Sequence, residues 1–371
     1  MQSGSAEVPA STALLRAAAR MQLDPPAGRA FAEAAGRVQR WPALVADAED
    51  HGLSPLLRLH AASAGVEFPA VVRQQLASLA VRHREASRVH TAALLEMLEA
   101  LERRGVRPVV LKGAVLAHEL YARPEYRPRR DIDLLVSKAD ALPAVGVLRS
   151  LGYDGPAVAP DRRHHHLPGM TTEREGFRVS VEVHTDVLSP DQPDRLSLDT
   201  ALNRLRTVDV GGTRVQALGH EDMIRHLAAH LLEPGHQTRL INVVDLVAYA
   251  ERHVETIDWD RVRRASARTL VTLSLMHYLT GLPEALAWAR PTSDAPQPSG
   301  VGYGFPMLST VNWKERPLTS TLAELLYPSA WWMHAFYAVP PGCSLAFARW
   351  TRHAPRLLHW GLRRVTSQRG T

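Results

Sequence analysis

The chain has 371 residues but only one cysteine, Cys343, and three lysines. A single cysteine excludes an intrachain disulfide framework and a cysteine-based zinc module, and it is compatible with a reducing compartment. No run of apolar residues reaches the ~18 to 20 that are needed to span a bilayer. The opening residues lack the basic and apolar regions of a signal peptide, so we expect a soluble, cytoplasmic protein.

Three sequence patterns that mark common catalytic folds are missing. The chain contains no GxxxxGK[ST] P-loop, no HRDxxxxN kinase loop and no GxSxG nucleophile elbow. Because each pattern supplies an essential part of its chemistry, P-loop nucleotide hydrolysis, protein-kinase phosphoryl transfer and serine-based acyl transfer are excluded.

The overall composition is that of a folded protein with a mild positive charge. Hydrophobic residues make up 45% of the chain, which excludes wholesale disorder. The 44 Lys and Arg residues exceed the 38 Asp and Glu residues, which gives a net charge of +6 with neutral histidines. This excess favours anionic partners such as nucleotides or acidic lipid headgroups. No recognised DNA- or RNA-binding module is present, so sequence-specific nucleic-acid binding is not expected.

Periodicity and composition divide the chain into five segments. Helical spacing of leucines predicts a helical N-terminal region over residues 1–105, and short apolar runs separated by turns predict a core of strands and helices over 106–218. A helical region that closes a cleft is expected over 219–289. Pro, Gly and Ser mark 290–312 as a linker, and 313–371 form a basic, aromatic, helical tail. The predicted fold class is α+β, with a small mixed sheet flanked by helical regions.

Two acids stand close together in a predicted strand, DIDLLV, over residues 131–136. Side chains two apart in a strand point to the same face, so Asp131 and Asp133 project together, with Cα atoms about 7 Å apart. Neighbouring carboxylates repel each other and Asp is unfavourable in strands, so this pair requires a compensating cation, which two divalent ions would supply. The alternative is a surface pair that contacts nearby arginines.

A third predicted strand, over residues 178–188, offers a matching acid. Its valines form one face, whereas Glu182 and His184 lie on the other. If this strand neighbours DIDLLV, Glu182 completes a carboxylate triad with Asp131 and Asp133, which suits two-metal nucleotidyl transfer. His184 either orients a carboxylate, contacts a nucleotide, or is a packed, hydrogen-bonded histidine.

Groups that suit phosphates precede the paired acids. Lys112 and Gly113 end a predicted strand and start a helix, where free backbone N–H groups and the helix dipole attract a phosphate. Arg127 and Arg130, in the basic loop that follows, would neutralise a triphosphate. The alternatives are a tight turn with an exposed lysine and arginines that form surface ion pairs.

Two stretches together resemble a known family. LKGAVLAHELYARPEYRPRRDIDLLV, residues 111–136, is similar to the signature of a nucleotidyltransferase-fold family of largely uncharacterised bacterial proteins. VEVHTDV, residues 181–187, resembles a later strand of that family, and the whole resemblance covers about residues 90–280. It implies a DNA polymerase β-like nucleotidyltransferase core over residues 106–218.

The resemblance also implies roles for individual residues. It gives the catalytic and metal-binding roles to Asp131, Asp133 and Glu182, with two Mg²⁺ ions as the cofactor. It gives the nucleotide turn to Lys112 and Gly113, and a phosphate contact to the Arg127-Pro128 pair. The superfamily usually has Gly-Ser or Gly-Gly in that turn, whereas this chain has Gly113-Ala114.

The predicted function is therefore Mg²⁺-dependent transfer of a nucleoside monophosphate from an NTP, with ATP the preferred donor. The acceptor is a small molecule, a peptide or a protein that the sequence does not identify. The alternative is a catalytically inactive protein on the same fold that senses a nucleotide or binds a partner.

The tail carries a second, separate prediction. Residues 345–365 mix arginines with tryptophans and leucines, as in an amphipathic helix that contacts a protein or an anionic membrane. Membrane contact would place the protein peripherally at the inner membrane face. The alternative is a C-terminal helix that folds against its own domain.

Overall fold

The computed structural model describes residues 10–156, 165–189, 192–232, 239–298 and 326–358. The chain forms two compact units, Met1–Leu227 and Ala228–Thr371. The first contains the paired acids, and the second contains the described part of the basic tail.

The first unit begins with helices whose starts follow from local sequence. They are α1 (Ala10–Ala18), α2 (Pro25–Gly36), α3 (Trp41–Asp50), α4 (Ser54–Ser63) and α5 (Ala70–Glu102). Asp24 caps α2, because its carboxylate accepts a hydrogen bond from Ala27 N at 2.7 Å, and prolines occupy the first turns of α2, α3 and α4. Helix α5 is 33 residues long and packs one apolar stripe against α3, α4 and the sheet.

A four-stranded mixed sheet forms the centre of the first unit. Its strands are β1 (Val109–Val110), β2 (Ile132–Leu135), β3 (Met170–Arg174) and β4 (Phe177–His184), in the order β1-β2-β4-β3. Strands β2 and β4 are parallel, and the other two pairs are antiparallel. Helices α6 (Lys112–Glu119) and α7 (Ala141–Ser150) pack with α5 on β2 and β4, where the strand valines, leucines and isoleucine are buried.

A two-stranded hairpin of β5 (Arg206–Val210) and β6 (Thr213–Ala217) completes the strands of this unit. Gly211 and Gly212 connect the two strands as a two-residue turn, with φ angles of 61° and 85° that glycine adopts without strain. Arg206 joins the hairpin to the end of α6 through a bidentate ion pair with Glu119, with N–O distances of 2.7 and 2.6 Å. Helices α8 (Leu198–Leu202) and α9 (His220–His230) follow the sheet strands and the hairpin respectively.

The strands differ from the prediction in three respects. The strand predicted over residues 178–188 is β4, which begins at Phe177 and ends at His184. Strand β2 begins at Ile132 rather than at residue 131, so Asp131 lies just before the strand. Strand β3 is absent from the sequence-based prediction because its residues, MTTER, are mostly polar. It is joined to β4 by Glu175 and Gly176, both at positive φ, in a second two-residue hairpin.

The second unit is helical in its described residues. It contains α10 (Leu240–Arg252), α11 (Trp259–Ala265), α12 (Ala267–Thr280), α13 (Ala330–Phe336) and α14 (Ala346–Ala348). Asp258 caps α11 by accepting a hydrogen bond from Arg261 N at 2.8 Å, and Trp332 stacks on Phe336 with ring centroids 4.2 Å apart in the core. Among these described helices, none combines the length and hydropathy that a bilayer crossing requires.

The structure confirms the predicted α+β class, with a small mixed sheet flanked by helical regions. The predicted segment boundaries remain predictions. Most of the predicted linker and both ends of the predicted tail, residues 299–325 and 359–371, lie outside the described residues.

Candidate functional site

Two acids face each other at the centre of the mixed sheet. Asp133 on β2 is paired directly with Glu182 on β4, and the same register pairs Ile132 with Val181 and Leu134 with Val183. Directly opposed residues of neighbouring strands share a face, so the two carboxylates project together while the apolar pairs enter the core. Asp133 is buried, with 2% of its surface exposed, whereas Glu182 is half-buried.

His184 lies on the same face, two residues beyond Glu182. Its Nε2 is 3.1 Å from Asp133 Oδ1 and 3.7 Å from Glu182 Oε2. Asp133, Glu182 and His184 each bring one carboxylate oxygen or imidazole nitrogen to within 4.8 Å of those of the other two side chains. Asp133, Glu182 and His184 are called the carboxylate–histidine cluster below.

The surroundings of the His184 ring indicate which nitrogen carries the proton. Its Nδ1 is buried and has no hydrogen-bond partner among the residues that the structure describes, whereas Nε2 faces Asp133. A buried N–H without an acceptor costs more than a bare nitrogen, so we assign the proton to Nε2, which donates it to Asp133 Oδ1. His184 therefore orients Asp133.

Lys112 brings a cation to the other side of the same carboxylate. Its Nζ lies 3.5 Å from Asp133 Oδ2, and its side chain is mostly buried. The backbone explains this position, because Leu111 N donates to Asp133 O at 3.0 Å and Lys112 begins helix α6 directly afterwards. Asp133 is thus held between an ammonium group and an imidazole.

Gly113 lets a buried arginine approach the start of α6. Arg127 Nη1 donates to Gly113 O at 3.4 Å, and a Cβ added at Gly113 would lie only 2.9 Å from that Nη1. The glycine is therefore needed for the close approach of the Arg127 guanidinium. Arg127 is 7% exposed and braces the turn beside Lys112.

His166 is a neighbour of the cluster that the sequence analysis does not identify as a site residue. Its Nδ1 lies 3.8 Å from Glu182 Oε2, and its ring centroid is 5.2 Å from that of His184. Two backbone pairings show an irregularity: His166 pairs with His184, and Met170 pairs with Val181. The chain advances four residues from 166 to 170 opposite only three residues between 181 and 184, so it contains one extra residue, a β-bulge. This bulge turns His166 towards the cluster.

The remaining predicted site residues are not members of the carboxylate–histidine cluster. Asp131 is half-buried and is outside the set of mutually close ligand atoms, although its negative charge contributes to the raised pKa of Glu182. Arg130 is exposed and donates to Asp50 O at 3.2 Å. Its neighbour Arg129 is buried and donates to Thr91 Oγ1 at 2.9 Å. Nucleotide contacts by Arg127, Arg130 and His184 stay predictions.

The electrostatics of the cluster suit a cation. Burial raises the pKa of Glu182, and the adjacent Asp133 carboxylate raises it further. An added divalent cation would relieve both effects, and carboxylate oxygens are the ligands that such hard cations prefer. The donor set therefore fits a divalent metal ion held by Asp133 and Glu182.

Comparison with solved structures gives a distant likeness. An antigenic nucleotidyltransferase-like protein from Paracoccidioides brasiliensis is 16% identical to this chain, with a TM-score of 0.35. The match covers 54% of this chain and 98% of the other. A likeness this distant supports no argument about function. No curated protein matches the chain.

Comparison with protein families gives a direct result. A family model described as uncharacterised nucleotidyltransferase matches residues 38–287, which is more than half of the chain. The match includes the whole four-stranded sheet, helix α6 and the carboxylate–histidine cluster. The chain belongs to this family of uncharacterised nucleotidyltransferases.

Proposed function

We propose that the protein is a Mg²⁺-dependent nucleotidyltransferase that moves a nucleoside monophosphate from an NTP, preferably ATP, to an acceptor hydroxyl, phosphate or protein side chain. The proposal depends on one arrangement of side chains. Asp133 and Glu182 are directly paired on adjacent strands, and the Nζ of Lys112, the first residue of helix α6, lies 3.5 Å from Asp133 Oδ2. Family membership supports the reaction class.

The acids would hold the metal. Asp133 and Glu182 project from one face of the sheet, and Asp131, which precedes the same strand as Asp133, would be the third carboxylate for two Mg²⁺ ions. When bound, the ions neutralise the triphosphate and the leaving pyrophosphate and make the acceptor oxygen easier to deprotonate. His184 keeps the Asp133 carboxylate in one orientation by donating from Nε2.

The start of helix α6 would hold the phosphates. Leu111 precedes the helix and has no side-chain acceptor to cap it, so the N–H groups of the first turn and the helix dipole would attract an anion. Lys112 adds a full positive charge at the same point. Arg127 would stabilise this helix start, because its guanidinium donates a hydrogen bond to the carbonyl oxygen of Gly113.

Glu182 is suited to accept the proton of the acceptor hydroxyl. About one third of its side chain is exposed, so its carboxylate can reach a substrate. Asp133 is too deeply buried for the same role.

The test uses the full chain with each NTP in turn, labelled on the α-phosphate, together with Mg²⁺ and a cell extract. Transfer of label to an acceptor and Mg²⁺-dependent release of pyrophosphate are expected. Asp131→Asn and Asp133→Asn should each abolish both signals, whereas Asp260→Asn, an exposed residue that pairs with Arg263, should leave them unchanged. Full turnover in the two site variants would contradict the proposal.

The noncatalytic alternative has its own signature. Gly113-Ala114 lacks the hydroxyl that a Gly-Ser turn offers to a phosphate. Nucleotide binding measured by calorimetry, without pyrophosphate or labelled product from any NTP, would favour a nucleotide-sensing protein over a transferase.

A further inference from the structure

Both oxygens of the Asp133 carboxylate face a hydrogen-bond donor of the chain itself. Nε2 of His184 lies 3.1 Å from Oδ1, and Nζ of Lys112 lies 3.5 Å from Oδ2. The Asp133 side chain is 2% exposed and that of Lys112 is 14% exposed, so water and salt screen this ion pair only weakly. Lys112 therefore supplies the positive charge that compensates a buried carboxylate.

The same carboxylate is one of those that would hold a metal ion. Mg²⁺ binds carboxylate oxygens at about 2.0 to 2.1 Å, so an ion on Oδ2 would lie near the ammonium group that contacts this oxygen, and the two cations would repel each other. Oδ1 already accepts the hydrogen bond from His184. The contact of Lys112 with Asp133 and the binding of a metal ion by Asp133 therefore oppose each other.

Lys112 also stands where a nucleotide phosphate would bind. It is the first residue of helix α6, and the N–H groups of the first turn together with the helix dipole attract an anion. The ammonium group ends a flexible four-carbon stem, so it can leave Asp133 by rotation of side-chain bonds alone. The backbone stays in place, because Leu111 N donates to Asp133 O at 3.0 Å. A triphosphate at this helix start would therefore compete with Asp133 for the Lys112 ammonium.

We infer that Lys112 is a mobile counter-ion that couples metal binding to nucleotide binding, an inference that rests on the proposed function. Without nucleotide, the Lys112 ammonium stays on Asp133 and keeps the metal affinity of the site low. A triphosphate at the start of α6 draws the ammonium away, so the metal affinity rises. Because coupling is reciprocal, a metal ion on Asp133 raises the affinity for nucleotide by the same factor.

Movement of the Lys112 ammonium can be measured directly, because the chain contains only three lysines. The full chain is exposed briefly to an amine-acetylating reagent, and the label at Lys112 is quantified by mass spectrometry. Saturating Mg²⁺ without nucleotide should increase this label severalfold, since only 14% of the side chain is exposed while it contacts Asp133. Lys138, which is exposed in the turn after β2, is the internal reference, and its label should stay constant.

Calorimetry measures the same competition as an affinity. Lys112→Met removes the competing charge, so Mg²⁺ without nucleotide should bind this variant at least about fivefold more tightly than the wild type. Lys138→Met is the matched control and should bind Mg²⁺ as the wild type does. The titration is repeated with an ATP analogue that carries a methylene group between its α and β phosphorus atoms, so that no transfer follows. After correction for Mg²⁺ held by the analogue in solution, the affinity should rise at least about fivefold more in the wild type than in Lys112→Met.

The results separate this inference from the proposed function. If Mg²⁺ binds the wild type, but Lys112 labelling does not increase and Lys112→Met binds Mg²⁺ no more tightly, the inference is wrong while the proposed function stands. If Mg²⁺ does not bind the wild type even with the analogue present, both are wrong. Circular dichroism checks the fold of Lys112→Met, and if this variant does not fold, the labelling of the wild type decides.

Discussion

Asp133 and Glu182 are directly paired across two parallel strands, yet their charges are compensated unequally. Asp133 is buried between Lys112 Nζ at 3.5 Å and His184 Nε2 at 3.1 Å. Glu182 has His184 at 3.7 Å and His166 at 3.8 Å, and its pKa is raised by burial and by Asp133. Glu182 is therefore the member of the pair whose charge most needs a metal ion.

Glu182→Gln is expected to stabilise the metal-free protein at neutral pH. The pKa of Glu182 lies above its ordinary value of 4.5, so the folded state holds this proton more tightly than the unfolded state does. Stability consequently falls as the pH rises through that raised pKa. The variant lacks this penalty, so its melting temperature should exceed that of the wild type at neutral pH, and the gain should disappear below the unfolded pKa.

The control for this experiment is Glu173→Gln on strand β3, an exposed acid of the same sheet. Its melting temperature should match that of the wild type at every pH. Added Mg²⁺ should stabilise the wild type and the Glu173 variant but have little effect on Glu182→Gln. A loss of stability in Glu182→Gln at neutral pH would show that the carboxylate is already compensated without metal.

Lys112→Met should impair nucleotide binding more than folding. The ammonium group lies at the helix start beside Asp133, and a charge-assisted contact to a phosphate contributes about 1.5 to 3 kcal/mol, so the KM for ATP should rise about ten- to hundredfold. Lys138→Met is the matched control, because Lys138 is exposed in the turn after β2. An unchanged KM in Lys112→Met would remove the phosphate role of this residue.

The face of the strand on which each acid lies could be predicted, because side chains alternate between the two faces of a strand. Asp133 alternates with Ile132 and Leu134, and Glu182 alternates with valines, so the face of each acid is set by which neighbours must be buried. The sequence did not require the two strands to be adjacent. The prediction for Glu182 therefore depended on its strand lying next to the strand of Asp133. The structure shows that β2 and β4 are adjacent, with Asp133 paired to Glu182.

Other parts of the site depend on contacts that no local pattern encodes. His166 reaches Glu182 because a bulge shifts the register by one residue, and a run of histidines does not indicate where a bulge will form. Arg127 contacts Gly113 across 14 positions of sequence, and its burial results from packing of the loop before β2. The two-residue period of a strand predicts that Asp131 and Asp133 share one face. Strand β2 begins at Ile132, however, so Asp131 lies outside the strand and this period does not set its direction.

His184 substitutions can separate an orienting role from a metal-binding role. Leu at this position removes the donor to Asp133, and we expect a loss of about ten- to hundredfold in Mg²⁺-dependent turnover. Gln can place an N–H donor near the position of Nε2, so His184→Gln should recover most of the activity. If His184 were a metal ligand instead, both variants should lose metal affinity equally by calorimetry. Circular dichroism checks that both fold, since the ring is buried.

Gly113→Ala should displace Arg127 and destabilise the protein. The new Cβ would lie 2.9 Å from Arg127 Nη1, so the guanidinium must move and lose its contact with Gly113 O, at a cost of about 1 to 2 kcal/mol in urea unfolding. In an Arg127→Met background the same substitution should instead be neutral or stabilising, because alanine favours a helix over glycine by about 0.5 to 1 kcal/mol. Gly146→Ala in α7, where an added Cβ has nothing within 4 Å, should show only that gain. If Gly113→Ala changed the free energy of unfolding by the same amount in the wild type and in Arg127→Met, contact with Arg127 would not be the reason that a glycine is needed at this position.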